Sequence, residues 1–172
     1  ARGLARRFND TYGAVFVVPK AVTPPRAARV LDLADPRRKM SKSTGNSAGV
    51  VYVLDPPDLV RRKIQRARTD GLDRVEYRPD EQPGVANLLE ILGACAGCDA
   101  REAAQGIGTY AQLKAAVADA VVERLSGIRA RTTELLDDPA ELDRVRAAGA
   151  LLAADRGAHR LASALRLAGV GP

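Results

Sequence analysis

Apolar positions along the chain follow two different patterns. From residue 84 onward they recur every three or four residues, which is the spacing of one face of an α-helix. Before residue 84 they come in short β-branched runs bounded by prolines, which is typical of extended segments. The pattern therefore predicts an α+β chain that is mainly α, with its extended segments first.

Three polar pairs in the helical part have the spacing of a capping box, in which two side chains three residues apart bond the first turn of a helix. They predict three helix starts: a short helix that ends by Gly106, and two long helices that each carry an apolar stripe. The pairs are Asp99 with Glu102, Thr109 with Gln112, and Asp138 with Glu141. The stripes of the last two helices are Leu113, Val117, Ala120, Val121, Leu125 and Ile128, then Leu142, Val145, Ala148, Leu152, Leu161 and Leu165.

Short runs at 14–18, 29–33 and 50–54 are rich in β-branched residues and predict strands or extended edges. A few lone strands cannot bind all of their own backbone N–H and C=O groups or bury both of their faces. They therefore require a sheet formed by other polypeptide. A helix is expected next, with an N-cap in Asp55–Asp58. Its apolar side is Leu59, Val60, Ile64 and Ala67, and its basic side is Arg61, Arg62, Lys63, Arg66 and Arg68. Residues 70–82 are polar and aperiodic, and predict an exposed connection.

Composition narrows the class of protein. The 172 residues are 46% apolar, which indicates a globular chain, and the net charge of +6 favours a polyanionic partner. No apolar run approaches the roughly 20 residues that cross a bilayer, and the first residues lack a signal-peptide core. We therefore expect a cytoplasmic protein without a membrane segment.

The two cysteines, Cys95 and Cys98, form a C-x-x-C pair next to a predicted helix end. A structural zinc site takes four ligands, and the chain offers only one histidine, His159, which we expect to be a solvated or capping residue. We predict structural cysteines and no metal site.

The stretch with the most specific chemistry is Lys39-Met40-Ser41-Lys42-Ser43. Two lysines three residues apart supply point charges with several donors each, and the intervening hydroxyls add further donors, which together suit a polyphosphate. The alternative is an ordinary solvated basic turn.

The ordered pentapeptide resembles the second signature of class I aminoacyl-tRNA synthetases. Further segments resemble bacterial tryptophanyl-tRNA synthetases in the same order: Thr69-Asp70, Pro83 to Leu89, Leu113-Lys114 and Val117 to Val121. The resemblance implies three parts. Residues 1–69 are the end of a Rossmann-type catalytic domain, 70–84 a connection, and 85–172 a helical bundle similar to an anticodon-binding domain.

The same resemblance implies a tryptophan-tRNA ligase, which uses ATP, with Mg²⁺, to form tryptophanyl-adenylate and pyrophosphate and then charges tRNA(Trp), usually as a homodimer. It gives Lys39 and Lys42 the catalytic role on the leaving phosphates. The residues implied to bind ATP are Val30, Lys39, Met40, Ser41, Lys42 and Ser43, with Val30 and Met40 contacting adenine through the backbone. The basic residues proposed to contact tRNA are Arg61, Arg62 and Arg66.

Two departures from the family pattern qualify this interpretation. The first class signature, a glycine-rich turn ending in histidine, is not in the sequence, so we expect this chain alone to be inactive. Thr44-Gly45-Asn46 replaces a more acidic run, which is expected to change the mobility of the segment. The alternatives are a tyrosyl-tRNA synthetase, or a truncated paralogue that only binds tRNA or a partner protein.

Overall fold

The structure is a computed structural model that describes residues 1–44 and 47–170. Within these residues the regular structure is helical, which confirms the prediction of a mainly helical fold. The α-helices are α1 (Arg2–Tyr12), α2 (Pro57–Gln65), α3 (Pro83–Ala96), α4 (Ala100–Ala103), α5 (Tyr110–Asp137) and α6 (Pro139–Leu167). Short 3₁₀ turns span Lys42–Thr44 and Ser47–Gly49.

The chain divides into two compact units. The central unit comprises residues 24–133, and the terminal unit comprises residues 1–23 together with those from 134 onward. The boundary predicted at 70–84 falls inside the central unit and, as a functional division, stays a prediction.

The central unit is built around one apolar cluster. Leu88 and Leu89 of α3, Leu113 and Val117 of α5, and Ile64 of α2 are all at most 1% exposed. Leu33 joins the same cluster from the segment that precedes the lysine pentapeptide. Helices α2, α3 and α5 therefore share one core with this segment.

The predicted helix starts are confirmed. Asp99 accepts hydrogen bonds from the N–H groups of Arg101 and Glu102, and Asp138 accepts one from the Glu141 N–H. Thr109 and Gln112 bond each other's backbone N–H reciprocally at 3.2 Å, as a capping box requires. Helix α3 ends at Gly97 in the left-handed conformation. Helix α2 differs from expectation, because it begins at Pro57 with no side-chain cap and has Asp58 in its first turn.

The segments predicted as strands or extended edges, at 14–18, 29–33 and 50–54, are non-helical as expected but form no strand. Among the described residues, pairing is limited to an isolated antiparallel bridge between Leu31 and Lys39. At several positions polar side chains bind the backbone groups that a neighbouring strand would otherwise bind. The side chain of Asn9 bonds Val15 and Phe16, that of Asn87 bonds Leu31, and that of Lys63 bonds Val50.

The connection at 70–82 is also less exposed than predicted. Gln82 is fully buried, and its Nε2 donates to the Arg74 carbonyl at 3.0 Å and to the Tyr110 hydroxyl oxygen at 3.0 Å. The Tyr77 hydroxyl donates to Glu90 at 2.5 Å. Hydrogen bonds to α3 and α5 therefore hold this segment against the central core.

In the terminal unit, Asn9 of α1 binds the segment that follows it, and Phe8 packs edge-on against Phe16 at a centroid distance of 4.9 Å. Arg160 of α6 donates to the Val15 carbonyl at 2.7 Å. The apolar stripe predicted for α6 is largely exposed, and Leu161 is 60% exposed. The residue that α6 does bury, Ala164, lies outside that stripe. Among the described residues, no helix is both long and apolar enough to cross a membrane.

Candidate phosphate-binding site

The lysine pentapeptide begins at the isolated antiparallel bridge between Leu31 and Lys39. The Met40 N–H donates to the Val30 carbonyl at 3.0 Å, and the Asp32 N–H donates to the Arg38 carbonyl at 2.9 Å. These two bonds flank the bridge between Leu31 and Lys39. The backbone of the first lysine is therefore fixed, while its side chain is exposed.

The segment that carries the lysines, residues 34–44, is called the lysine loop below. The chain leaves the core at Leu33 and returns at Gly49, where the Leu33 N–H donates to the Gly49 carbonyl at 2.9 Å. Asp32, only 4% exposed, accepts from the Ala34 N–H at 2.8 Å and from the Asp35 N–H at 3.1 Å. Leu33 and Gly49 thus form a closed base for the loop.

Gly49 is required by the close approach at this base. A Cβ atom added there would lie 1.8 Å from Asp32 Oδ1, well inside van der Waals contact. The buried carboxylate of Asp32 occupies the space that any side chain at 49 would need.

The polar side chains of the lysine pentapeptide lie toward the open side of the loop. Lys39, Lys42 and Ser43 are exposed and Ser41 is half-buried. The hydroxyl oxygens of Ser41 and Ser43 lie 2.9 Å apart, and the Ser43 N–H donates to Ser41 Oγ at 3.4 Å. The serines thus shape a tight turn around the second lysine. The predicted departure at Gly45 and Asn46 lies outside the described residues.

Val30 and Met40 are half-buried on the inner side of the loop. Their side chains line an apolar cavity of about 220 Å³, together with Ile64, Cys95 and Leu125 among others. The Met40 N–H is already bound to the Val30 carbonyl. If the backbone of these two residues contacts adenine, the contact therefore uses the Val30 N–H or the Met40 carbonyl.

The basic side of α2 differs from the prediction in the burial of Lys63. Arg61, Arg62 and Arg66 are exposed as expected, but Arg61 is in an ion pair with Asp119 of α5. Lys63 is only 8% exposed, and its ammonium group donates to the Val50 carbonyl at 2.8 Å and to Asp55 at 2.6 Å. The exposed basic surface is formed by arginines, and Lys63 is not part of it.

Two residues that contact the base of the loop were not recognised as site residues from sequence. Asn87 lies among buried apolar residues of α3 and binds both backbone groups of Leu31, while Lys63 binds the chain just after Gly49. A polar residue inside an apolar helix face is the signal that would have indicated Asn87, because a buried amide needs partners.

The cysteines are both free and half-buried. Burial raises the pKa of the Cys95 thiol, and the nearby Arg124 only partly opposes the shift. Across residues 1–44 and 47–170, no three His, Cys, Asp or Glu side chains are grouped so that they could hold a metal ion.

The lysine loop is closed at its base, exposes Lys39 and Lys42, and lies in the same compact unit as helices α2 to α4. The sequence profile described as tRNA synthetases class I (W and Y) matches residues 1–126, and the chain belongs to this family.

Curated relatives that resemble the chain are tryptophan–tRNA ligases. Tryptophan–tRNA ligase 1 of Streptomyces coelicolor is 50% identical over 150 residues, covering 87% of this chain and 45% of the relative. The tryptophan–tRNA ligase of Leifsonia xyli is 44% identical over 171 residues, covering 98% and 50%. The predicted resemblance to bacterial tryptophanyl-tRNA synthetases is confirmed. The chain spans about half the length of these relatives.

Solved structures agree on the fold. The tryptophanyl-tRNA synthetase of Mycoplasma pneumoniae superposes with a TM-score of 0.86 at 31% identity, over 99% of this chain and 52% of that one. A Campylobacter jejuni tryptophanyl-tRNA synthetase, complexed with ADP and tryptophan, superposes with a TM-score of 0.62 at 20% identity, over 98% and 52%. At that identity, the second likeness shows the fold alone.

Proposed function

We propose that this chain carries the phosphate-binding loop and the helical domain of a tryptophan–tRNA ligase. The observation that carries the proposal is the exposure of Lys39 and Lys42 on a loop whose base is closed by the Leu33 to Gly49 hydrogen bond. The full reaction activates tryptophan with ATP and transfers it to tRNA(Trp).

In the activation step, the tryptophan carboxylate attacks the α-phosphorus of ATP and pyrophosphate leaves. Negative charge grows on the leaving phosphates, and the ammonium groups of Lys39 and Lys42 bind that charge more strongly in the transition state than in the ground state. Each charge-assisted hydrogen bond is worth about 1.5 to 3 kcal/mol. Ser41 and Ser43 shape the turn, and Val30 and Met40 form the adenine side.

Mg²⁺ is expected to accompany ATP. In phosphate sites it is held by the phosphates, water and one or two carboxylates rather than by a complete cage of protein ligands. When bound, the ion neutralises phosphate charge, and the lysines supply the remaining cationic contacts.

Activity requires a second set of residues. The glycine-rich turn that ends in histidine is not in this sequence, whose one histidine, His159, is exposed on α6. We therefore expect this chain alone to give no ATP–pyrophosphate exchange. The full-length protein, meaning this chain joined to the half of the ligase that it does not span, is expected to be active. Exchange by the chain alone would contradict this division of the site.

The lysine assignment is tested in the full-length protein with Lys39→Ala and Lys42→Ala. Each variant should lower kcat of tryptophan-dependent pyrophosphate exchange by about 10-fold to 100-fold, the value of one charge-assisted bond, while the KM for tryptophan stays within about twofold. Lys20→Ala is the matched control, because Lys20 is also exposed but lies outside the loop. Normal exchange in both loop variants would refute the role.

We further propose that the exposed arginines of α2 contact tRNA(Trp). Arg62 and Arg66 are the better candidates, because Arg61 is already paired with Asp119. Arg62→Ala with Arg66→Ala should weaken tRNA binding and reduce the slope of log affinity against log salt by about one per lost phosphate contact. An unchanged salt slope would assign these arginines to the solvated surface.

The full-length protein is also expected to be a homodimer. Light scattering that gives the mass of one subunit at assay concentration would contradict that expectation.

A further inference from the structure

The base of the lysine loop is held by side chains from two helices outside it. Leu31 and Lys39 form a non-hydrogen-bonded antiparallel pair. In such a pair the N–H and C=O groups of both residues point away from the opposite segment. The outward groups of Leu31 would be unsatisfied on the buried side of the segment. They are instead both bound by one residue of α3.

That residue is Asn87, which is 4% exposed. The Leu31 N–H donates to Asn87 Oδ1 at 2.8 Å, and Asn87 Nδ2 donates to the Leu31 carbonyl at 3.0 Å. A planar amide can do this because it carries a donor and an acceptor side by side. Asn87 therefore takes the place of a neighbouring strand on the entry side of the loop.

On the exit side, Lys63 of α2 has the corresponding role. Its buried ammonium group donates to the Val50 carbonyl, one residue beyond Gly49, and to Asp55 Oδ2. The same carboxylate oxygen accepts from the Tyr52 N–H at 3.0 Å. A buried ion pair contributes little net stability, because removing both charges from water costs about as much as their attraction returns. Its contacts connect Val50, Tyr52 and Asp55 to α2.

We propose that Asn87 and Lys63 are positioning residues for the lysine loop, which set the base from which Lys39 and Lys42 reach the phosphates. This rests on the proposed function of the lysines. The two side chains belong to helices whose apolar residues form the central core, so the loop base inherits the rigidity of that core. A displacement of about 1 Å at a catalytic group can lower the rate by about 100-fold.

The test uses Asn87→Leu in the full-length protein, since leucine has a similar size and lacks both polar groups. It should lower kcat of pyrophosphate exchange by about 10-fold or more while the KM for tryptophan stays within about twofold. Hydrogen exchange at the Leu31 amide should become faster. Val85→Ala, a fully buried position on the same helix, is the control for lost stability and should leave kcat within about twofold.

A second variant probes the other anchor. Lys63→Met combined with Asp55→Asn removes the buried charges together, so that neither is left unpaired, and should give the same fall in kcat. If Val85→Ala lowers kcat as much as these variants do, the effect is one of stability and the proposal is wrong.

Lys39→Ala separates the two hypotheses. If it lowers kcat and the anchor variants do not, the positioning role is overturned while the phosphate role stands. If Lys39→Ala leaves kcat unchanged, the proposed phosphate role of the lysines is wrong, and the positioning role that rests on it is wrong as well.

Discussion

The central and terminal units differ sharply in how their apolar residues are used. Every member of the buried apolar cluster belongs to residues 24–133. In the terminal unit, by contrast, residues 151–160 of α6 are all exposed, including Leu151 at 74%. The central unit therefore derives its stability from its own packed core, and the lysine loop is anchored there. The apolar side chains along α6 contribute little burial.

The largest expected contrast is between two leucine truncations. Leu113→Ala should lower the free energy of unfolding by about 2 to 5 kcal/mol, because this residue of α5 is fully buried and its removal leaves a cavity. Leu151→Ala should change it by less than about 0.5 kcal/mol, because the side chain is already in solvent. Urea unfolding of both variants gives the comparison directly. Equal losses would show that α6 is buried in solution.

A pair of glycines should differ even in the sign of the effect. A Cβ at Gly84 would lie 2.1 Å from the Arg68 carbonyl oxygen, so Gly84→Ala forces α3 and the chain at Arg68 apart and should destabilise by about 1 to 3 kcal/mol. Gly149 lies inside α6 with no such contact within 4 Å, and Gly149→Ala should stabilise by up to about 1 kcal/mol.

Thermal and urea midpoints of the two glycine variants are the measurement. A stabilising Gly84→Ala would mean that the close approach at Arg68 relaxes without cost. A destabilising Gly149→Ala would reveal a contact on the exposed helix.

The features that could be predicted from sequence are those that depend on local residues. The starts of α5 and α6 can be predicted because each is capped by a side chain that bonds a backbone N–H three residues away. The lysine pentapeptide can be recognised from the order of its five residues. The path of residues 29–33 could not be predicted, because Leu31 is bound by Asn87, which is 56 positions away. The sequence predicts Lys63 on the exposed basic side, because arginines surround it. Its burial depends on Asp55 and the Val50 carbonyl meeting it in space.

The smallest expected effect concerns a polar contact in the central unit. The Tyr110 hydroxyl donates to Asp70 at 2.5 Å. Burial alone would raise the pKa of Asp70, but hydrogen bonds from Tyr110, from the Leu72 N–H and from Gln82 outweigh it and hold the pKa below its ordinary value. A carboxyl whose pKa is lowered in the folded state adds stability above the unfolded pKa, and that stability is lost as the pH falls through the folded pKa.

Tyr110→Phe should therefore cost about 1 kcal/mol near pH 7, a value reduced for the partial exposure of Asp70. The difference from the wild type should shrink as the pH falls below about 4, the ordinary pKa of an aspartate, because protonated Asp70 loses its preference for the hydroxyl donor. The control in the terminal unit is Arg144→Ala, which removes an exposed ion pair with Glu141 and should leave stability unchanged at either pH. A Tyr110→Phe deficit that persists undiminished at pH 3 would assign the effect to the lost hydrogen bond from Gln82 Nε2 to the Tyr110 hydroxyl oxygen, since that bond does not depend on the charge of Asp70.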